Sequence, residues 1–269
     1  RYDGYEFTRI PKADDGTPIR VVRSLWAGVD GKVWAGTRND GLFVYDPVDG
    51  KITHFFHQSQ SASGLSHNYV RALTGDDKGR IWIGTENGVD YFDPHTQRLT
   101  RLTQDGANSG RTIQVMLYDP MGYVWVGSRR QGINRYSITD DSWLNIIRHR
   151  HYDDPQSSLD IRSLYQAADG QVYVGTANYG AARLDPMSLQ MHWLDLYQQL
   201  PSVSQPIWIS DISQPSPDVI WLSTTSHGIY VIDTATGNVI NHFEHDPSIS
   251  SSLDGNNIDT LYRDHQGHI

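Results

Sequence analysis

The sequence contains no cysteine among its 269 residues, which excludes disulfide bonds and thiolate chemistry. Basic residues are also in deficit, since 22 Lys and Arg stand against 31 Asp and Glu and give a formal charge of −9. This charge disfavours binding to nucleic-acid phosphates and to anionic lipid headgroups, so neither is expected as a partner. No apolar run approaches the roughly 18–20 residues that a membrane-spanning helix needs, and we expect no membrane insertion by this segment.

The sequence contains instead a short apolar stretch that ends in a glycine. Ile81 to Pro94 reads IWIGTENGVDYFDP and predicts two strands around a polar turn. Ile81 to Ile83 are consecutive apolar residues, which is typical of a strand covered on both faces. Gly84 leaves room for a neighbouring strand to approach closely. The polar connection Thr85 to Gly88 then leads to the second strand, Val89 to Asp93.

This hairpin occurs five times along the chain. The aromatic residue of its first strand is in turn Trp34, Trp82, Trp125, Tyr173 and Trp221, at spacings of 48, 43, 48 and 48 residues. A period of roughly 40–50 residues with four strands per unit predicts the blades of a β-propeller. We expect the four tryptophans to be core wedges between blades because each lies in an apolar strand.

The repeat predicts an all-β fold with a single β-propeller domain over residues 1–269. Five complete blades of four antiparallel strands are expected at residues 19–57, 68–104, 111–151, 159–197 and 206–245. Residues 1–10 are expected to end a blade, with a strand from Tyr5 to Ile10, and residues 257–269 to begin one, with a strand from Ile258 to Tyr262. Because an open ring would leave unpaired strand edges, we expect the sequence to be a piece of a longer chain.

The repeat also resembles a known family. Trp-x-Gly-Thr, a glycine four or five residues later, Tyr-Asp-Pro, and a loop such as Ser63 to Val70 (SGLSHNYV) are similar to the two-component-regulator propeller repeat of bacterial sensors. Tyr173 and Ser223 depart from the pattern, since they replace Trp and Gly.

This resemblance implies a periplasmic ligand-sensing domain that binds carbohydrates derived from polysaccharides. It also implies downstream modules in the same polypeptide, with a histidine kinase or a diguanylate cyclase as output. A homodimer is a further possible partner arrangement.

In a propeller, the loops between second and third strands and those entering each first strand gather around one mouth of the central channel, where a rigid scaffold holds binding residues. On these loops, five Arg outnumber three acidic residues. Arginine forks beside aromatic rings suit a sugar that carries carboxylate or sulfate. The residues expected to bind such a ligand are Arg38, Asn39, Glu86, Asn87, Arg111, Arg129, Arg130, Asn178, Tyr179, Trp208 and His227. Ordinary solvated loops, with each Arg paired to a local acid, are the alternative interpretation.

Binding of a carbohydrate or another small polar ligand without turnover is the expected function, and two catalytic alternatives remain. His227, Tyr179 and Arg129 could serve as base, acid and carboxylate neutraliser in a polysaccharide lyase. Glu86 and Asp160 are the only pair suited to a glycosidase. A protein-interaction platform is a third alternative.

Four close pairs of histidines are candidate metal ligands, at positions 54 and 57, 149 and 151, 242 and 245, and 265 and 268. Only His149 and His151 have the spacing of ligands that share one face of a strand, and neither has an evident third ligand. We therefore expect no metal and no cofactor.

Overall fold

The computed structural model describes residue 10 and residues 12–58, 64–102, 111–147, 158–196, 207–264 and 269. Among these residues there is no helix, and twenty strands form five four-stranded sheets. The strands of each sheet lie side by side in chain order. The prediction of an all-β fold with five complete antiparallel blades is confirmed.

The bounds of the strands follow the predicted repeat. Blade one comprises β1 (Val22–Ala27), β2 (Val33–Thr37), β3 (Leu42–Tyr45) and β4 (Ile52–Phe55). Blade two comprises β5 (Val70–Gly75), β6 (Ile81–Thr85), β7 (Gly88–Asp93) and β8 (Arg98–Arg101). Blade three comprises β9 (Ile113–Asp119), β10 (Tyr123–Ser128), β11 (Gly132–Ser137) and β12 (Ser142–Ile147). Blade four comprises β13 (Ile161–Gln166), β14 (Val172–Thr176), β15 (Ala181–Leu184) and β16 (Met191–Trp193). Blade five comprises β17 (Ile209–Ser216), β18 (Val219–Thr224), β19 (Ile229–Asp233) and β20 (Val239–Phe243).

The chain forms two compact units. Unit 1 consists of residues 1–126 and 136–143, and unit 2 consists of residues 127–135 and 144–269. Each unit has its own buried apolar clusters. One in unit 1 is centred on Trp34 and Ile83, and one in unit 2 is centred on Tyr173 and Leu222.

The second strand is the most buried element of blades two and four. Every residue of β6 is buried, and so is every residue of β14. The fourth strand is the most exposed in blades two to five, as in β8, whose residues are exposed or half-buried, whereas in blade one β1 is more exposed than β4. The unbroken apolar run of the second strand thus reflects cover on both faces.

The glycine in the second strand permits close packing between blades. A Cβ atom at Gly84 would lie 2.6 Å from Cγ2 of Ile113, at the start of the next blade's first strand. A Cβ atom at Gly175 would lie 2.7 Å from Cγ2 of Ile209. The expectation that Gly84 admits a neighbouring strand is confirmed.

The tryptophans of the repeat differ in burial. Trp34, Trp82 and Trp125 are buried, as expected of core wedges. Trp221 is only half-buried and packs against Phe243, with ring centroids 5.4 Å apart. Three of the four tryptophans are therefore buried core residues, and Trp221 is covered only in part.

The expected strand from Ile258 to Tyr262 does not form. Residues 258–264 have no strand, although they lie against the start of β17. The amide of Leu261 and the hydroxyl of Thr260 donate to Oδ2 of Asp211, at 2.9 and 2.7 Å. In each described blade a first strand pairs with the second strand that follows it, and no such partner strand is described for residues 258–264, so no ladder is seen here.

At the other end of the chain, residues 5–9 of the expected strand Tyr5–Ile10 lie outside the described residues.

Candidate functional site

The loops expected to form the mouth are held in place by one recurring contact. The threonine that ends a second strand, as at Thr176 and Thr224, donates its hydroxyl to the carbonyl of the glycine that closes the turn, at 2.9 and 3.0 Å. The same hydroxyl accepts the amide of Tyr179 or His227, each at 2.8 Å. These turns are therefore fixed by backbone and side-chain hydrogen bonds.

A second contact brings the two loop sets together. The amide of the turn glycine donates to a carbonyl in the loop that enters the next blade, from Gly88 to Arg111 at 3.0 Å and from Gly228 to Asn256 at 2.9 Å. The turn of one blade and the entry loop of the next thus lie side by side within each unit.

Unit 2 contains a cluster of three arginines around one aspartate. Arg162 Nη2 lies 3.1 Å from Asp160 Oδ2, and the Arg162 guanidinium lies over the Trp208 ring, 4.7 Å from its centroid. Arg129 and Arg130 are exposed and act electrostatically on Asp160. We call these five residues the arginine cluster.

The charge of the arginine cluster is positive, because three guanidinium groups face one carboxyl. Burial is the largest influence on the Asp160 carboxyl and raises its pKa above the ordinary value. Arg162, Arg129 and Arg130 act in the opposite direction without cancelling the effect of burial. Asp160 thus neutralises at most one of the three positive charges.

The arginine cluster contains two polar atoms without a hydrogen-bond partner and one partly exposed aromatic ring. Asp160 Oδ1 and Arg162 Nε are buried and have no hydrogen-bond partner. Trp208 is 38 % exposed. The cluster therefore combines positive charge with an accessible aromatic surface, and two of its buried polar atoms are unpaired.

Asn178, on the adjacent turn, forms hydrogen bonds to the loop of the arginine cluster. Its Oδ1 accepts the amide of Asp160 at 3.5 Å, and its Nδ2 donates to the carbonyl of Ser158 at 2.8 Å. Asn178 thus positions the loop that carries Asp160.

The remaining predicted residues of unit 2 make local contacts. The Tyr179 ring packs edge-on against Trp193, with centroids 6.1 Å apart. The His227 Nδ1 atom lies 2.8 Å from the hydroxyl of Ser226. Both side chains are half-buried on the turns of their own blades.

Glu86 is a predicted residue of unit 1 whose two carboxylate oxygens are both paired. Arg71 Nε donates to Glu86 Oε1 at 2.7 Å, and Thr112 Oγ1 donates to Glu86 Oε2 at 3.0 Å. Burial alone would raise the pKa of Glu86, but Arg71 and Thr112 outweigh it and the pKa is lowered. Arg71 also lies over the Tyr69 ring, 4.0 Å from its centroid, and donates to Gln114 at 3.1 Å.

Four other predicted residues of unit 1 are spread along its loops. Arg38, Asn39 and Asn87 are exposed, whereas Arg111 is buried, with 6 % of its surface exposed. Because Glu86 is held ionised by its partners, it is poorly suited to the general acid that a glycosidase requires.

The sequence analysis missed a buried polar group in blade two. Asp90 Oδ2 accepts the amide and the hydroxyl of Ser66, at 2.8 and 2.9 Å, and the same hydroxyl lies 2.7 Å from Thr85 Oγ1. Arg101 donates to the carbonyls of Gly64 and Leu65, at 2.7 and 2.8 Å. Asp90 and Arg101 thus anchor the loop that enters blade two. The sequence did contain a signal for this group: Asp90 is charged, whereas the equivalent strand position is aromatic in blades one and five.

Among the described residues, no group of three His, Cys, Asp or Glu side chains could hold a metal ion. His149 and His151 lie outside the described residues. Over the same part of the chain, no helix is long and apolar enough to cross a membrane.

One segment of the chain matches a known protein family. Residues 64–87 match the protein-family model described as two component regulator propeller. This segment contains β6 and the loop anchored by Asp90, and it confirms the resemblance expected from the sequence. A search of curated proteins found no match.

Solved structures with the same fold include two from B. thetaiotaomicron. The extracellular domain of the hybrid two component system BT3049 aligns with a TM-score of 0.71 and 19 % identity, over 98 % of this chain and 33 % of that one. The extracellular domain of BT4673 aligns with a TM-score of 0.62 and 19 % identity, over 92 % and 36 %.

A surface protein is also similar. PorZ, a component of the type-IX secretion system of Porphyromonas gingivalis, aligns with a TM-score of 0.63 and 20 % identity, over 89 % of this chain and 36 % of that one. The chain spans about a third of the length of these structures. It is a β-propeller chain that carries a two component regulator propeller repeat.

Proposed function

We propose that the chain is the extracytoplasmic ligand-sensing part of a bacterial signal-transduction receptor. The family match at residues 64–87 and the similarity to extracellular domains of hybrid two component systems support this proposal. The periplasm is the proposed location, and a kinase or cyclase module of the same polypeptide is the proposed downstream partner.

The arginine cluster is the proposed ligand site. Its guanidinium groups suit the carboxylate or sulfate of an acidic sugar, because such groups accept paired hydrogen bonds from arginine. The exposed face of Trp208 suits the sugar ring. The observation that carries the proposal is Arg162 placed over Trp208 beside a single carboxylate, with Arg129 and Arg130 nearby.

Binding without turnover is the proposed mechanism. A ligand that bridges loops from successive blades would favour one arrangement of the receptor, provided that its affinity differs between arrangements. The downstream module would respond to that shift.

A thermal-shift screen tests this function. The purified chain is heated with oligogalacturonate or with a neutral malto-oligosaccharide of equal length, and each mixture is then analysed for cleavage. A ligand that binds only the folded state raises the unfolding midpoint. We expect a higher midpoint with oligogalacturonate alone, and an intact sugar afterwards. Cleavage would replace sensing with a lyase or hydrolase, and no shift with either sugar would contradict the site.

A further inference from the structure

Asp160 is the single carboxyl group of the arginine cluster, and only one of its two oxygens is paired. Oδ2 lies 3.1 Å from Arg162 Nη2, whereas Oδ1 is buried and accepts no hydrogen bond. Hydrogen bonds to a carboxylate favour its charged form, so a carboxylate with one unpaired oxygen is held less firmly in that form. Asp160 is therefore a group whose charge can change within the site.

Two carboxyl groups of unit 1 show how pairing controls this charge. Burial opposes the ionisation of Glu86, but bonds from Arg71 and Thr112 to its two oxygens outweigh burial and lower its pKa. Burial raises the pKa of Asp90 to about 6, and one of its oxygens is buried without a partner. Asp160 resembles Asp90, because one of its oxygens is also unpaired and burial also raises its pKa.

An acidic ligand in the arginine cluster would act on Asp160 in two ways. Arg129 and Arg130 are exposed, and the Arg162 side chain is 27 % exposed against 13 % for Asp160, so a ligand meets the guanidinium groups rather than the carboxyl group. Its acid group then shares Arg162 with Asp160, and a second negative charge nearby disfavours the ionised form of a carboxyl. The ligand also covers Asp160 further, and burial acts in the same direction.

We propose that the arginine cluster takes up a proton from solvent on Asp160 when it binds an acidic ligand. Protonation removes the one negative charge of the cluster and leaves three guanidinium groups to face the acid group of the ligand. The charged groups that act on Asp160 are Arg162, Arg129 and Arg130, and guanidinium groups do not titrate near neutral pH, so Asp160 is the group that accepts the proton.

Proton uptake couples ligand affinity to the acidity of the surroundings. Because the bound state holds more protons than the free state, affinity falls as pH rises through the pKa of Asp160 in the complex, and it is constant above that. This inference rests on the ligand site proposed above and adds that the site responds to acidic sugar and to acidity together.

The test is calorimetric titration of oligogalacturonate into the whole chain at about pH 5 and about pH 7.5, where sugar carboxyl groups, with an ordinary pKa of about 4, stay ionised. We expect binding to be about three-fold or more tighter at the lower pH. At that pH, the heats in two buffers of different ionisation enthalpy should differ, because the buffer supplies the proton that Asp160 takes up.

Asp160→Asn isolates the contribution of this carboxyl group. Asparagine keeps the shape and does not titrate, so we expect equal affinity at both pH values and, at about pH 7.5, binding about three-fold or more tighter than in the native chain. Asp169→Asn is the matched control. It removes an exposed carboxylate beyond the other end of β13 and should leave the pH dependence of the native chain unchanged.

The outcomes separate this inference from the function on which it rests. Equal affinity of the native chain at both pH values, or a pH dependence that persists in Asp160→Asn, would overturn proton uptake and leave the ligand site in place. No binding at either pH would overturn the ligand site and the uptake with it. Should Asp160→Asn not fold, the buffer comparison on the native chain decides, and heats that are the same in both buffers would overturn the proposal.

Discussion

Three equivalent tryptophans differ in whether the indole Nε1 has a hydrogen-bond acceptor. Trp82 and Trp125 each donate to an aspartate six residues earlier, whereas Trp34 has Gly28 at that position and a buried unpaired Nε1. The sequence predicts that these rings are buried, because they lie in apolar strands. It gives no reason to expect the hydrogen bond until the turn geometry brings the aspartate to the indole.

Gly28→Asp is expected to stabilise the chain. The new carboxylate would accept the Trp34 proton, and a Cβ at Gly28 meets mainly the mobile end of Asp30. A hydrogen bond to a charged group contributes about 1.5–3 kcal/mol, and repulsion from Asp30 reduces this, so we expect a gain of about 1 kcal/mol. Urea unfolding measures it. Gly28→Ala, which adds the Cβ without the carboxylate, is the control and should show no gain.

Asp90 should make stability depend on pH. Burial raises its pKa to about 6 in the folded chain, above the ordinary 3.8, and its bonds to Ser66 only partly offset this. The folded state therefore holds the proton more tightly than the unfolded state. The contribution of Asp90 is most favourable below about pH 4, is lost as pH rises to about 6, and is constant above that.

Asp90→Asn isolates this effect. Asparagine keeps the shape and does not titrate, so the stability of the native chain relative to the variant should fall by roughly 2–3 kcal/mol between pH 4 and pH 7. Denaturant unfolding at several pH values measures the difference. A difference that stays flat across this range would contradict the buried, protonatable state of Asp90.

At the scale of elements, the second strand and its glycine determine how blades pack. β6 is buried throughout, and Gly84 faces the first strand of the next blade so closely that a Cβ would clash with Ile113. The apolar run and the glycine were both visible in the sequence, and the close approach follows from them. This is why the blades were predictable.

Gly84→Ala is expected to destabilise unit 1. The added methyl group must displace Ile113 or shift β9, which typically costs about 1–3 kcal/mol. Thermal or urea unfolding measures the loss. Gly255→Ala is a matched control, since a Cβ there meets no atom within 4 Å, and it should be nearly neutral. Equal stability of the two variants would contradict the packing argument.

Strand ends and strand faces were less predictable. The segment Ile258–Tyr262 has the apolar pattern of a first strand, yet no partner strand is described beside it and the amide of Leu261 donates to Asp211 instead. Trp221 lies in an apolar strand like the other tryptophans, but only part of its surface is covered. Both outcomes depend on which groups lie against the element, and one strand's own residues do not specify that.

At the scale of the whole molecule, the candidate site arises from residues of different blades. Loop positions in the repeat predicted Arg129, Arg130 and Trp208, because the fold places turns and entry loops together. The contact between Arg162 and Trp208 could not be predicted, since it depends on side-chain orientation across two blades. Likewise, pairing of Glu86 with Arg71 depends on a first-strand residue outside the loops.

The most direct test of the ligand-sensing account is calorimetric titration of oligogalacturonate into the chain and three variants. Arg129→Ala and Arg130→Ala should each weaken binding by roughly 1–3 kcal/mol, the usual size of a lost charge-assisted hydrogen bond. Arg98→Ala removes an exposed arginine of β8 outside the site and should leave affinity unchanged. Unchanged affinity in both site variants, or an equal loss in all three, would contradict a specific acidic-sugar site at the arginine cluster.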